Sequence, residues 1–100
     1  MITLVGDKMA SRVGASLLSA ANLSELITHT PEEYEELAVT LALDMDKLWE
    51  LRKRLEDNRE TCPLFDTARW VRAAEKGFQM VWARHEEGKP PDDIDVLEVE

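Results

Sequence analysis

Apolar and polar residues alternate along this chain in two rhythms. "ITLVG", residues 2–6, is a short run rich in β-branched side chains and closed by glycine, which predicts a buried strand ending in a turn. From Lys8 to Ala21 the rhythm lengthens: Met9, Val13, Leu17 and Ala21 fall at four-residue steps, the spacing of a helix face. Ala10, Ser11, Gly14, Ala15 and Ser19 keep that helix thin, so it can press closely onto a sheet or another backbone. A strand running at once into a helix is the first half of a βα unit. One strand cannot make a sheet, so the other strands are expected outside this chain or not at all.

"SELITHT" (24–30) holds a possible second short strand around Leu26 to Thr28. Thr30 then reads as an N-cap, with Pro31 at the first helical position and Glu33 completing a capping box. Tyr34, Leu37, Ala38 and Leu41 follow as an apolar stripe. Asp44 or Asp46 can cap the next helix, with Leu48, Leu51 and Leu55 inward and the basic Arg52 to Arg54 on a solvated face. Cys62-Pro63 ends it, because a residue before proline avoids the α region.

"TCPLFDTARWV" (61–71) spends a leucine and a phenylalanine on a turn. If Asp66 caps the last helix, Phe65 and Trp70 occupy the two positions of a hydrophobic staple, and Leu64 is free to fill the space beneath. Leu64, Phe65, Asp66 and Trp70 are therefore expected to form a structural corner. Val71, Ala74, Phe78, Val81 and Trp82 mark the inward stripe of that helix, and Gly88 and Pro90 stop it. The chain is thus predicted to be mainly α, with helices near 8–21, 31–43, 46–60 and 67–87 and one or two short strands. Residues 1–90 form the folded part, and residues 91–100 an acidic tail with little to bury, expected to be mobile.

Charge changes this picture in one respect. The net charge of −9 repels phosphate backbones and anionic lipid, which argues against nucleic-acid and membrane partners. Five of the acids sit in the tail "DDIDVLEVE", so the body is only mildly acidic. No apolar run approaches the roughly 20 residues needed to cross a bilayer. One cysteine, Cys62, cannot form an internal disulfide, which fits a reducing compartment.

Candidate chemistry is sparse. Cys62, His29 and His85 match no metal-ligand spacing, and each has a structural role available, so no metal site is expected. Glu32 and Glu33 sit in a first helical turn, where capping accounts for them. The suggestive place is "GDKMASR", where Asp7, Lys8 and Arg12 lie between strand and helix. Ligands of open α/β sheets bind beyond the carboxyl ends of strands, so Lys8 and Arg12 could face an anionic ligand. The residues alone favour the plainer reading, two solvated cations with Asp7 as their N-cap neighbour.

"KMASRVGASLL", "EEYEELAVTLALD" and "TCPLFDTARWVR", in this order and spacing, resemble the C-terminal end of the protein O-linked N-acetylglucosamine transferases, most strongly the plant SECRET AGENT-like branch. The resemblance covers about residues 2–90, and SPINDLY-type fucosyltransferases are a weaker match, particularly around Ser11-Arg12. Val5 departs from the family, which usually has proline after this strand. The resemblance implies that the chain is the C-terminal part of an α/β Rossmann-like lobe in a two-lobed, GT-B glycosyltransferase. It further implies inverting transfer of GlcNAc from UDP-GlcNAc to Ser or Thr hydroxyls of cytoplasmic and nuclear proteins, without a required metal or other cofactor. The family's His-Thr-Thr-Gly nucleotide-binding stretch, its proposed catalytic residues and its tetratricopeptide repeats would all lie upstream. No catalytic residue is therefore expected in this chain, which should be inactive alone and should partner the remainder of the catalytic domain. Asp7, Lys8 and Arg12 would sit beside the nucleotide-sugar cleft. Two alternatives stand beside this reading: a stand-alone acidic helical interaction module, or a small regulatory protein imitating an anionic surface.

Overall fold

The structure, a computed structural model, describes residues 1–97. It divides into two compact units, Met1–Phe65 and the unit beginning at Asp66. The first carries β1 (Thr3–Leu4), α1 (Val13–Ala20), β2 (Ile27–Thr28), α2 (Pro31–Leu43) and α3 (Met45–Asn58). The second carries α4 (Thr67–Glu86). The protein is mainly helical, with a single two-stranded sheet among the described residues.

β1 and β2 pair in parallel, Thr3 opposite Ile27 and Leu4 opposite Thr28. α1 lies in the connection between them and packs on both strands, which makes a compact βαβ unit. The ladder extends one residue beyond β1, where Val5 N donates to Thr28 O at 2.9 Å. A proline at position 5 has no N–H for this bond. Thr28 is buried, and its hydroxyl donates to Thr3 O at 2.8 Å.

The helix expected at 8–21 is divided. Met9–Ser11 form a 3-10 turn, and α1 proper starts at Val13. The cause is local: Ser11 Oγ accepts from Lys8 N at 3.1 Å and donates to Lys8 O at 2.8 Å. Ser11 O, which an unbroken helix would commit to residue 15, accepts from Gly6 N at 3.3 Å. The inward register also differs from the four-step reading. Met9 is 85% exposed, Val13 and Leu17 are exposed, and Leu18, at 5%, is the α1 side chain in the core. α1 ends with Asn22 at φ 58, where Leu23 N bonds Leu18 O at 2.8 Å and Asn22 N bonds Ser19 O at 3.1 Å. This is a Schellman ending with asparagine in the left-handed position.

The core of the first unit gathers Leu18, Ala21, Leu23, Leu26, Leu41 and Leu51, with Ile2, Ile27, Leu37 and Leu64 packed against it. α2 is capped as expected: Thr30 Oγ1 accepts from Glu33 N at 3.1 Å. The Glu33 carboxylate reaches one residue past the cap and accepts from His29 N at 2.8 Å. Asp44 caps α3 by accepting from Lys47 N at 3.0 Å. Tyr34, Leu48 and Leu55, expected inward, are exposed.

In the second unit Asp66 caps α4, accepting from Arg69 N at 2.9 Å. No residue of α4 is buried: Val71, Val81 and Trp82 are exposed and Phe78 is 75% exposed, against the expected inward stripe. The staple is likewise corrected. Phe65 is 61% and Trp70 69% exposed, so neither is a buried ring. Both corrections have one physical reason: apolar spacing specifies which face can be covered, and covering it needs a partner surface that the unit lacks. α4 closes in a second Schellman motif, with Gly88 at φ 68, Lys89 N bonding Arg84 O at 3.2 Å and Gly88 N bonding His85 O at 3.0 Å. Residues 90–97 then run back along α4, and Ile94 and Val96 are half-buried. Residues 98–100 of the acidic tail lie outside the described residues.

Candidate functional site

Parallel pairing brings the carboxyl ends of β1 and β2 side by side. The residues following β1 make the turn through Gly6 and Asp7, and His29 follows β2 directly. The Gly6 turn is tight, since a Cβ at position 6 would stand 2.6 Å from Ser11 Oγ. Beyond the two strand ends lies an open concavity of about 700 Å³. Val5, Asp7, Met9, Arg12, Ser16 and His29 contribute to its lining. Asp7 and Arg12 both line the hollow, whereas Lys8, which the sequence paired with Arg12 toward an anionic ligand, is exposed on the adjacent turn and does not line it.

The electrostatics are mixed: one carboxylate, one guanidinium and one imidazole. Asp7 and Arg12 are exposed, and among the described residues neither side chain has a hydrogen-bond or ion-pair partner. His29 Nδ1 stands 4.0 Å from Glu33 Oε2, a contact that becomes an ion pair only when the imidazole is protonated. His29 is the residue that sequence reasoning set aside. Its signal was its place: it ends the second strand as the Gly6-Asp7 turn ends the first.

The hollow can receive a polar ligand but holds no nucleophile paired with a base. Cys62 is buried and its N–H is spent on Asn58 O at 2.8 Å. Among the described residues no group of three or more His, Cys, Asp or Glu side chains could hold a metal ion, and no helix is long and apolar enough to cross a membrane. A second concavity of about 650 Å³ opens into the core of the first unit, bordered by Leu18, Leu23, Leu41, Leu51 and Leu64. Leucine walls offer shape and apolar contact, not chemistry.

The sequence profile described as glycosyl transferase family 41 matches residues 1–74. A protein of Arabidopsis thaliana named "Probable UDP-N-acetylglucosamine--peptide N-acetylglucosaminyltransferase SEC" is 48% identical over 98% of this chain. A SPINDLY protein of Hordeum vulgare bearing the same enzyme name is 36% identical over 90%, and the UDP-N-acetylglucosamine–peptide N-acetylglucosaminyltransferase of Caenorhabditis elegans 35% over 94%. The chain spans about a tenth of the length of these relatives: 10% of the first two and 8% of the third. The SEC protein is more similar than the SPINDLY protein, as the resemblance implied. The chain belongs to glycosyl transferase family 41.

Proposed function

We propose that this chain forms the C-terminal part of the nucleotide-sugar lobe of a two-lobed, GT-B glycosyltransferase. The enzyme moves GlcNAc from UDP-GlcNAc to Ser and Thr hydroxyls of cytoplasmic and nuclear proteins, with inversion and without a metal or other cofactor. In that reaction the hydroxyl oxygen bonds the anomeric carbon as the bond to the UDP oxygen breaks and the hydroxyl proton passes to a base. No group in residues 1–97 is arranged to be that base. The chain's share is structural: two strands, the helix between them and the turn carrying Asp7, Lys8 and Arg12 beside the donor cleft. The observation that carries this reading is the 48% identity to the SEC protein over 98% of the chain. The open leucine trough and the uncovered face of α4 support a partner that completes each unit, which this reading identifies as the remainder of the catalytic domain.

The test compares two proteins in a peptide-glycosylation assay with labelled UDP-GlcNAc. One is the 100-residue chain; the other is the longer transcript product that carries it. The chain alone should neither transfer GlcNAc nor bind UDP at micromolar concentration by calorimetry, and the longer protein should transfer. Transfer by the chain alone, or undiminished transfer by the longer protein after deletion of residues 1–74, overturns the proposal. The acidic interaction module draws on the exposed Phe78 and Trp82, and gains if no longer transcript is found.

A further inference from the structure

The segment after α4 contains three aspartates between 92 and 95 and would be expected to stay in solvent. Instead it is held at two separated places. Arg84, whose carbonyl closes the Schellman motif, turns its guanidinium onto the returning chain: Nε donates to Pro90 O at 2.6 Å and Nη2 to Asp92 Oδ2 at 3.1 Å. Two turns nearer the start of α4, Gly77 leaves room for Val96. A Cβ at position 77 would stand 3.2 Å from Val96 Cγ2. Between the two contacts Ile94 turns toward the helix, and a groove of about 590 Å³ opens along Phe78, Val81, Trp82 and Pro91.

We propose that residues 90–97 are a strap, latched onto α4 by Arg84 and seated on Gly77 through Val96, whose release reshapes this groove. The glycine in mid-helix is thereby accounted for. It costs helix propensity relative to alanine, and its missing side chain is the seat for Val96. The latch is an ion pair with an exposed partner, so salt weakens it, whereas the Val96 seat is apolar and salt leaves it in place. The strap is therefore a two-point device whose charged end opens first. This inference does not depend on the enzymatic reading.

Limited proteolysis of the 100-residue chain with an endoprotease that cuts after acidic residues tests it, read together with heteronuclear ¹⁵N NOEs of residues 92–96. Cleavage of a transiently opened segment follows the population of the open form. Arg84→Gln should raise the rate of cleavage after Asp95 about fivefold, the change expected for loss of one partly exposed ion pair. Gly77→Leu should raise it as well while strengthening the helix, which separates strap release from fraying of α4. Arg72→Gln, which removes an exposed α4 charge that makes no hydrogen bond or ion pair to the strap among the described residues, should leave the rate unchanged. Raising salt to about 0.5 M should reproduce part of the Arg84→Gln effect, the share of the Asp92 ion pair, and leave the hydrogen bond to Pro90 O in place. The proposal is overturned if wild-type residues 92–96 already show the low NOEs of a free peptide, if α4 itself proves unstructured, or if neither variant changes cleavage.

Discussion

Gly14 of α1 lies against Thr3 of β1 so closely that a Cβ on the glycine would stand 2.5 Å from Thr3 Oγ1 and 3.1 Å from Thr3 Cβ. The small residues of the first helix thus serve close approach to a strand. Gly14→Ala should destabilise the first unit by about 1–3 kcal/mol from overpacking, outweighing the roughly 1 kcal/mol that alanine gains in helix propensity. Urea denaturation measures it. Thr3→Ala in the same chain should recover part of the loss, and strict additivity of the two changes would refute the contact.

The parallel pair offers a second test. Thr28→Val keeps the shape of a buried side chain and removes the donor to Thr3 O. A loss of about 1 kcal/mol is expected, the net worth of one hydrogen bond. Unchanged stability would mean that Thr3 O is satisfied without it.

Asp66 and Phe65 should behave in opposite ways in different contexts. Asp66→Ala should cost roughly 1 kcal/mol in any context that contains α4, because the cap is local. Phe65→Ala should cost little in the 100-residue chain, where the ring is exposed. In a longer enzyme that covers the ring, the same change should cost about 3 kcal/mol. Melting curves of both variants in both proteins decide it, and equal losses for Phe65→Ala would remove the argument for a missing partner surface.

Glu87 supplies the pH prediction. A hydrogen bond from Lys89, reinforced by that ammonium's charge, holds its carboxyl below the ordinary glutamate value. A group depressed on folding contributes stability that is complete above its unfolded pKa and lost as pH falls through the folded one. NMR titration should therefore find Glu87 ionised below the pH at which a free glutamate protonates. Lys89→Gln should move its midpoint upward, and no movement would sever the pairing.

What could be read from the sequence was whatever the chain decides within a few residues. Thr30, Asp44 and Asp66 cap the three longer helices because a side-chain oxygen three residues ahead of an N–H needs no distant partner. The turn that ends β1 was legible for the same reason, since Gly6 closes the strand within the local sequence. His29 was not, because its relevance depends on pairing between strands far apart in sequence. The stripes of α3 and α4 were read as covered faces, yet Leu48, Leu55, Phe78 and Trp82 stand exposed. Periodicity records the need for cover but not its source.

The βαβ pairing also imposes a schedule on synthesis. Thr3 and Thr28 are 25 residues apart in sequence, and the bond between them cannot form until the second has left the ribosome. At about 5–20 residues per second, β1 waits roughly one to five seconds for β2. During that interval Ile2, Leu4 and Val5 form a short apolar edge that any neighbouring nascent strand could join. Fast formation of α1, whose hydrogen bonds are all local, shortens the search once β2 appears. The thin helix between the strands is thus also a timing element, drawing the two ends together before the edge finds another partner.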